Sequence, residues 1–235
     1  MATSRTPGPG EAAVTGEQGT ARRGRPPMSE QGRRAQRLAV SRAAVRLFRE
    51  HGMAATSGAD VARAAGVSER TLWRLFRTKE SLVEPLLSVS IEGFRDVLRS
   101  WPEGTELTAH LRGAYTFATG GPDGETEEVL AVVRMTRDTP ALRAVWLVLQ
   151  EQAEPTLAAV LAPRAGLAPD SAQVRLLAAT VNAAFRVVTD EVAAGAAEGA
   201  TAEALAAHRE LLAEALRTGG QPAGRQTSSP SSSCR

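Results

Sequence analysis

Cysteine, aromatic residues and lysine are all scarce in this chain of 235 residues. The single cysteine, Cys234, excludes a disulfide within the chain and is typical of a protein of the reducing cytoplasm. Aromatic residues make up only 4% of the chain, and because runs of β-branched residues are also few, helices are favoured over strands. No apolar run approaches the roughly 20 residues that span a membrane, and the N-terminus lacks the apolar core of a signal peptide. We therefore expect an all-α cytoplasmic protein with no membrane partner.

Sequence patterns that carry catalysis or hold metals are also missing. His51, His110 and His208 lack the spacing of metal ligands. We find no glycine-rich loop for phosphates and no nucleophile with a base near it in sequence. The sequence predicts no catalytic residue, no metal site and no cofactor, and we do not expect an enzyme.

Charge is divided unevenly along the chain. Residues 33–87 carry 11 Lys and Arg against 5 Asp and Glu, a net charge of +6, whereas residues 88–235 carry 13 against 18, a net charge of −5. The first 32 residues carry 4 against 3, which brings the whole chain to +2. The basic segment favours a polyanion as partner, whereas the acidic remainder argues against a nonspecific coat on nucleic acid.

Two short helices joined by a tight turn are predicted between Thr56 and Leu82. Ser57 and Ser68 are favourable N-caps for the first and the second helix. Gly66 lies between the helices and tolerates a positive φ, as a tight turn requires. This arrangement predicts a helix-turn-helix, with an ordinary packed helical pair as the alternative.

The second helix of this pair has two distinct faces. Leu72, Leu75 and Phe76 recur at i, i+3 and i+4 and are expected to face inward. A polar and cationic set is expected to face outward: Arg70, Thr71, Arg74 and Arg77. An inward apolar face with an outward arginine stripe is what a recognition helix in the major groove of DNA needs.

Three runs in this region resemble the signature of the tetracycline-repressor-type (TetR) family of regulators. They are VARAAGVS at 61–68, TLWRLF at 71–76 and KESL at 79–82, and the resemblance covers Arg34 to about Leu87. It implies a three-helix N-terminal DNA-binding domain and a C-terminal helical domain that binds a ligand and forms a homodimer through the last two long helices. It also implies repression relieved by an effector. The residues expected at the DNA are Ser57, Ser68, Arg70, Thr71, Trp73, Arg74 and Lys79.

Several positions depart from that family pattern. Arg70 stands where glycine is common and adds a side chain able to bond guanine in bidentate fashion. Leu75 stands where a His or Tyr often donates to phosphate, so one backbone contact is expected to be missing. Gly58 stands where an apolar residue usually packs, which is expected to weaken the first helix of the helix-turn-helix by about 1 kcal/mol. Trp73 replaces the usual tyrosine and either abuts the DNA backbone or covers the core.

Further arginines precede the helix-turn-helix. The segment Arg22–Pro26 resembles the Arg-Gly-Arg-Pro core of arms that enter the minor groove, with an unspecific basic linker as the alternative. A first helix is predicted over residues 31–51, where Arg33, Arg34 and Arg37 either meet phosphates or form a solvated face.

Helices are predicted through the rest of the chain. A fourth helix, capped by Thr78 and running to Arg99, contains Pro85 at a position that either bends it as a hinge or is tolerated. Pro163 and Pro169 are expected to bracket a loop that contains Gly166. The later helices are predicted at 105–119, 124–138, 140–162, 170–197 and 201–217. The predicted division is a disordered basic tail at 1–30, the DNA-binding domain at 31–82, the ligand-binding and dimerisation domain at 83–218 and a second disordered tail at 219–235.

Two features of the second domain are expected to serve its function. Apolar faces of the last two helices favour pairing with a second copy into a four-helix bundle, with packing inside one chain as the alternative. Those faces contain Leu176, Leu177, Thr180, Val181, Ala184, Val187 and Val188, then Leu205, Leu211, Leu212 and Leu216. A small-molecule pocket is expected to be lined by Phe94, Tyr115, Met135, Trp146, Gln150, Asn182, Phe185 and Arg186.

The sequence indicates less about the effector than about the DNA-binding helices. The run MTRDTPALR at 135–143 resembles a subgroup that binds acyl-CoA-like ligands, and Arg134 and Arg137 either meet an anionic headgroup or are surface charges. The pocket set itself is equally typical of an ordinary core. We therefore expect a repressor released from operator DNA by a small apolar or acyl-CoA-like effector. The alternatives are a ligand-independent architectural DNA-binding protein and a small-molecule carrier with a vestigial reader.

Overall fold

The computed structural model describes residues 28–114, 125–195, 206–207 and 209–214. Within these ranges all regular structure is helical and no strand occurs. None of the helices in the described part has the length and apolar character needed to cross a membrane. Several predictions lie outside the described residues: the tail at 1–27 with Arg22–Pro26, Tyr115, the loop at 120–124, most of the helix at 201–217 with Leu205 and Leu216, and the tail at 219–235 with Cys234.

The N-terminal part begins with three helices. Helix α1 spans Glu30–His51, α2 spans Gly58–Ala64 and α3 spans Glu69–Leu75. The α1 N-cap is Ser29, whose side chain accepts a hydrogen bond from the backbone N–H of Gly32 at 3.1 Å. Its C-cap, Gly52, has a φ of 81°, a conformation that glycine adopts without steric cost. The first three helices are therefore where the sequence predicted them.

The fourth predicted helix is divided in two. A short 3₁₀ helix spans Glu80–Val83, and helix α4 then spans Glu84–Arg99. Thr78 caps the 3₁₀ helix, since its Oγ1 accepts a hydrogen bond from the backbone N–H of Ser81 at 3.2 Å. Pro85 consequently lies in the first turn of α4, where its missing N–H interrupts no helical hydrogen bond. Of the two readings of Pro85, tolerance near the helix start agrees with this placement, and a bend from within the helix does not.

Four helices follow in the described part of the chain: α5 Leu107–Ala114, α6 Glu125–Asp138, α7 Pro140–Ala165 and α8 Ala172–Gly195. Residues 206–207 and 209–214 are also helical. Pro163 lies inside α7, so the expectation that it borders a loop was wrong. The turn comes at Gly166 instead, whose φ of 63° is left-handed and ends the helix.

One buried apolar cluster joins the DNA-reading part to the remainder of the chain. It runs from Val40 on α1 through Leu72 on α3 and Leu87 on α4 to Phe185 on α8. Helix α4 contacts α1, α6 and α7, and α7 packs most extensively on α8. Helix α4 therefore packs on a helix of the N-terminal part and on two of the later helices.

Candidate nucleic-acid interface

Helix α2 begins with a reciprocal capping box. The backbone N–H of Asp60 donates to Ser57 Oγ at 3.2 Å, and the backbone N–H of Ser57 donates to Asp60 Oδ2 at 3.0 Å. The Ser57 hydroxyl also donates to Asp60 Oδ2 at 2.6 Å. These hydrogen bonds, with Arg63 nearby, hold the pKa of the Asp60 carboxyl below its usual value. Ser57 was predicted as a cap, whereas Asp60 was not, although the Ser-x-x-Asp spacing indicates it.

The turn between α2 and α3 is built as the sequence predicted. Gly66 has a φ of 66°, and the backbone N–H of Val67 donates to the carbonyl of Ala62 at 2.9 Å. Ser68 then caps α3, because its Oγ accepts from the backbone N–H of Thr71 at 3.2 Å and lies 2.9 Å from Thr71 Oγ1. Hydrogen bonds between residues close in sequence therefore define the turn and the start of α3.

The two faces of α3 are divided as expected. Leu72 and Phe76 are buried, and Leu75 is half-buried against the same apolar cluster. Arg70, Arg74 and Arg77 are exposed. None of these three arginines forms a hydrogen bond or ion pair with a described residue. Their charges are therefore not neutralised within the described part of the chain, as binding to phosphates or base edges requires.

Trp73 and Gly58 are in contact, although nothing in the sequence indicated that the two positions meet. The indole of Trp73 is 42% exposed and lies against the first turn of α2. A Cβ added to Gly58 would stand only 2.3 Å from Trp73 Cζ2 and 3.0 Å from Cε2. The two departures from the family pattern therefore compensate each other, since the larger ring occupies the space that a side chain at position 58 would need.

We expect Gly58→Ala to displace the indole. A helical Gly→Ala change normally stabilises by up to about 1 kcal/mol, but the new methyl would collide with Trp73. The variant should gain no stability in thermal unfolding and should lose operator affinity several-fold. Gly93→Ala in α4 is the matched control, because no atom lies within 4 Å of a Cβ at that glycine. Trp73→Tyr in the Gly58→Ala background should restore the operator affinity and allow the gain in stability that Gly→Ala normally gives. A gain equal to that of Gly93→Ala, with unchanged affinity, would refute the contact.

Lys79 lies at the start of the 3₁₀ helix, beside the reader. The residue as a whole is half-buried, and Nζ stands 6.0 Å from the centroid of the Phe48 ring. No ion pair joins Lys79 to another described residue. A cation that an aromatic face orients and no carboxylate neutralises is suited to a phosphate contact.

Arg34 and Arg37 of α1 bond other groups of the protein, a role that neither of the two expectations for them included. Arg37 donates to the backbone carbonyl of Leu75, bonds the Glu84 carboxylate at 3.2 Å and stacks 4.4 Å from the Phe76 ring centroid. Arg34 is paired with Glu92 on α4. Arg37 therefore ties the last turn of α3 to the first turn of α4. Sequence spacing offers no signal for this link, because Leu75 and Glu84 are remote from Arg37 along the chain.

Most of the expected pocket residues are brought together between α4, α7 and α8. Phe94, Trp146, Gln150, Asn182 and Phe185 are buried. The Phe94 and Phe185 rings are stacked with their centroids 4.4 Å apart and their planes 9° from parallel. The amide nitrogen of Asn182 donates to the backbone carbonyl of Gln150 at 2.8 Å. These residues join the connecting helix α4 to the last helices.

The other expected pocket residues are placed differently. Met135 is only half-buried, and Arg186 lies 3.7 Å from the carboxylate of Asp190. Arg134 bonds Glu127 at 2.9 Å and the Ala193 carbonyl at 3.3 Å, and Arg137 donates to the Asp190 carbonyl at 3.2 Å. Arg134 and Arg137 are therefore engaged by protein groups, which argues against a free anionic-headgroup site.

Comparisons with known proteins agree with this geometry. Residues 41–86 match the model of the family described as bacterial regulatory proteins, tetR family. The HTH-type transcriptional regulator TcmR of Streptomyces glaucescens is 32% identical over 157 residues, which are 64% of this chain and 70% of TcmR. Among solved structures, Salmonella enterica GusR has a TM-score of 0.51 and 22% identity, covering 78% of this chain and 96% of its own. Thermus thermophilus FadR, a TetR-family transcriptional repressor in complex with lauroyl-CoA, has a TM-score of 0.50 and 24% identity, covering 83% and 98%. The two solved structures share the fold.

Proposed function

Because the chain belongs to the tetR family of bacterial regulatory proteins, we propose that it is a ligand-responsive, sequence-specific repressor. A small apolar or acyl-CoA-like effector releases it from its operator. It acts in the cytoplasm by binding and not by catalysis. The observation that carries this proposal is the outward stripe of Arg70, Arg74 and Arg77, whose charges no described residue neutralises, on a helix whose other face is buried. Such a helix is ready to enter the major groove.

Each proposed DNA-contacting residue has a role consistent with its place. Arg70 lies in the first turn of α3, the end of a recognition helix that contacts base edges. Thr71, Trp73 and Arg74 lie beside or behind it and are assigned to the sugar-phosphate backbone, as is Lys79 from the adjoining 3₁₀ helix. Ser57 and Ser68 are assigned to positioning, because each hydroxyl caps a helix whose N–H groups would face phosphates.

The proposed domain division has its boundary in the 3₁₀ helix Glu80–Val83. Residues 31–82 then form the DNA-binding domain, and residues 83–218 bind the effector and form the dimer. The break between the 3₁₀ helix and α4 supports this division, because it separates the capped reader from the helix that leads onward. Residues 1–30 and 219–235 are assigned to the tails.

We assign homodimer formation to the outer face of α8. Leu176 is 70% exposed and Val187 is 48% exposed. They are joined on one face by Thr180 and Ala183 at helical spacing, whereas Val181 and Val188 of the same helix are buried in its own chain. Apolar groups left outward after the intrachain core is complete support pairing with a second copy.

The coupling between effector and DNA is assigned to α4. Phe94 places this helix against α8, while Glu84 at its other end bonds Arg37, which also holds the Leu75 carbonyl of the recognition helix. An effector that favours another position of α4 would alter the relation of the two readers to successive major grooves. A coupling of about 1 to 3 kcal/mol changes operator affinity by roughly 5- to 150-fold.

Binding to DNA from just upstream of the protein's own gene, compared with scrambled DNA of equal length across a salt titration, tests the proposal. A preference above about a thousandfold would establish an operator reader. Equal affinity and equal salt slope for both DNAs would instead favour the architectural alternative. Acyl-CoA and apolar compounds can then be tested for release of the operator complex.

Arg70 and Lys79 should respond differently to truncation. We expect Arg70→Ala to lower operator affinity by about 1 to 3 kcal/mol and to relax preference at one base pair. Lys79→Ala should weaken operator and scrambled DNA alike and reduce the salt slope by about 1. Affinities for a panel of single-base operator variants measure the change in base preference, and a salt titration measures the change in slope. Intact affinity and preference in Arg70→Ala would show that this side chain reads no base.

A further inference from the structure

Trp146 and Gln150 carry three buried polar atoms that have no hydrogen-bond partner among the described residues. The two side chains are 0% and 3% exposed, and the atoms concerned are Trp146 Nε1, Gln150 Nε2 and Gln150 Oε1. Such atoms are nearly always paired in folded proteins, since an unpaired one carries its full desolvation cost. The residues are four positions apart on α7, so both side chains lie on the same face of the helix. This face of α7 therefore carries three polar atoms whose hydrogen-bonding capacity is unused within the described part of the chain.

Two contacts between α7 and α8 show how these helices run relative to each other. Arg143 on α7 bonds Asp190 on α8 at 2.8 Å, and the Gln150 carbonyl accepts from Asn182 at 2.8 Å. Partners on α8 thus descend as positions on α7 ascend, so the two helices are antiparallel. Trp146 consequently lies level with residues 186–187 of α8, within one helical turn of Phe185, which stacks on Phe94 of α4. Trp146 and Gln150 thus belong to the stretch of α7 that runs antiparallel to this part of α8, and α4 packs on both helices.

The charged groups of this region already have partners within the chain. Arg143 and Arg186 both approach Asp190, at 2.8 Å and 3.7 Å. Glu154 accepts from the Asn182 amide at 3.3 Å. Neither Trp146 nor Gln150 is ionisable, so the group that would satisfy them need not be charged, and an ionised group would be desolvated without a compensating ion pair.

We propose that Trp146 and Gln150 are the polar recognition point for the effector, and that the buried part of the effector is an apolar body bearing a neutral carboxamide-like group. The inference rests on the proposed function, because it assigns a chemical class to that effector. The ligand carbonyl offers two lone pairs, which accept Trp146 Nε1–H and one Gln150 Nε2–H. The ligand N–H then donates to Gln150 Oε1. One small neutral group satisfies all three atoms, which neither a hydrocarbon nor a carboxylate does.

Three naphthalenes of nearly equal shape test this class of ligand: 2-naphthamide, 2-naphthoate and 2-isopropenylnaphthalene. Calorimetric titration of the full chain, without DNA, should show that the amide binds at least about tenfold more tightly than either of the others. Gln150→Met and Trp146→Phe should each reduce this preference to less than about threefold. Gln152→Met is the matched control, being the same substitution at an exposed position of the same helix, and should keep the preference.

Thermal unfolding supplies a second readout that needs no probe. Gln150→Met keeps the length of the side chain and removes two unpaired atoms, so the melting temperature of the free protein should rise by about 2 to 4 °C. Gln152→Met should leave it unchanged. A fall in the melting temperature of Gln150→Met would mean that water already satisfies the amide, and would overturn the proposal.

Three binding outcomes would also overturn it: hydrocarbon or carboxylate binding as tightly as the amide, no saturable amide binding up to about 1 mM, or an unchanged preference in Gln150→Met. Operator binding is measured separately, with no probe present. Loss of the amide preference with operator recognition intact would reject only the ligand class. Preference for the amide without operator recognition would reject only the proposal that the chain is a sequence-specific regulator.

Discussion

Val187→Glu should produce a monomer and lower operator affinity by about 10²- to 10⁴-fold. Two linked readers bind two half-sites together, and separation of the readers removes this gain, which typically has that magnitude. Val187 lies at the outer face of α8 and is 48% exposed in a single chain, so the fold of the protomer tolerates a charge there. In a dimer the same carboxylate would be buried against its symmetry copy, where desolvation and like-charge repulsion oppose association.

Light scattering at micromolar concentration, together with operator titration, measures both effects of Val187→Glu. Val148→Glu is the matched control, because Val148 on α7 is 49% exposed and receives the same substitution. The control should remain dimeric with unchanged operator affinity. A dimeric Val187→Glu variant, or a wild-type chain that is monomeric under these conditions, would contradict the α8 interface.

Phe185→Ala should lower the free energy of unfolding by about 3 to 5 kcal/mol, the range for deletion of a buried aromatic ring. Phe185 is 1% exposed, and its ring stacks on Phe94, which is also 1% exposed. The truncation therefore leaves a cavity at the junction of α4 and α8 and removes a stacking interaction at the same time. This loss is a large fraction of the 5 to 15 kcal/mol that typically stabilises a folded protein.

Urea unfolding at fixed protomer concentration measures the stability of Phe185→Ala, because association would otherwise alter the midpoint. Leu147→Ala is the control, since Leu147 is 43% exposed and its truncation should change stability by less than about 0.5 kcal/mol. A loss below about 1 kcal/mol for Phe185→Ala would mean that neighbouring side chains collapse into the space. The stack would then contribute little to the link between α4 and α8.

The DNA reader was largely predictable from the sequence. Ser57 and Ser68 cap their helices, Gly66 has a positive φ, and Leu72 is buried opposite the exposed Arg70. Each of these features depends on residues within about one helical turn of each other, where capping and spacing rules act directly. The same rules left Pro85 open and failed at Pro163, because proline alone does not reveal whether it begins a helix or lies within one that tertiary packing maintains.

The contacts that connect the reader to the rest of the chain could not be predicted in this way. Gly58 and Trp73 were each recognised as unusual, but only the folded chain brings the indole against the α2 backbone. Arg37 reaches the recognition helix and α4 at once. The unpaired atoms of Gln150 are likewise evident only from burial. All of these depend on the packing angles between helices, which short-range sequence patterns do not specify.

The sequence by itself determined the all-α class, the helix-turn-helix and the outward arginines, because local hydrogen bonding and a 3.6-residue period decide these features. Only the tertiary structure decided which polar groups are already bonded and which are not. Arg37 is engaged, whereas Arg70 has no partner among the described residues, and Trp146 and Gln150 are buried with atoms unpaired. The reason is physical: the cost of an unpaired group depends on its exclusion from water, and that exclusion arises only when distant helices pack together.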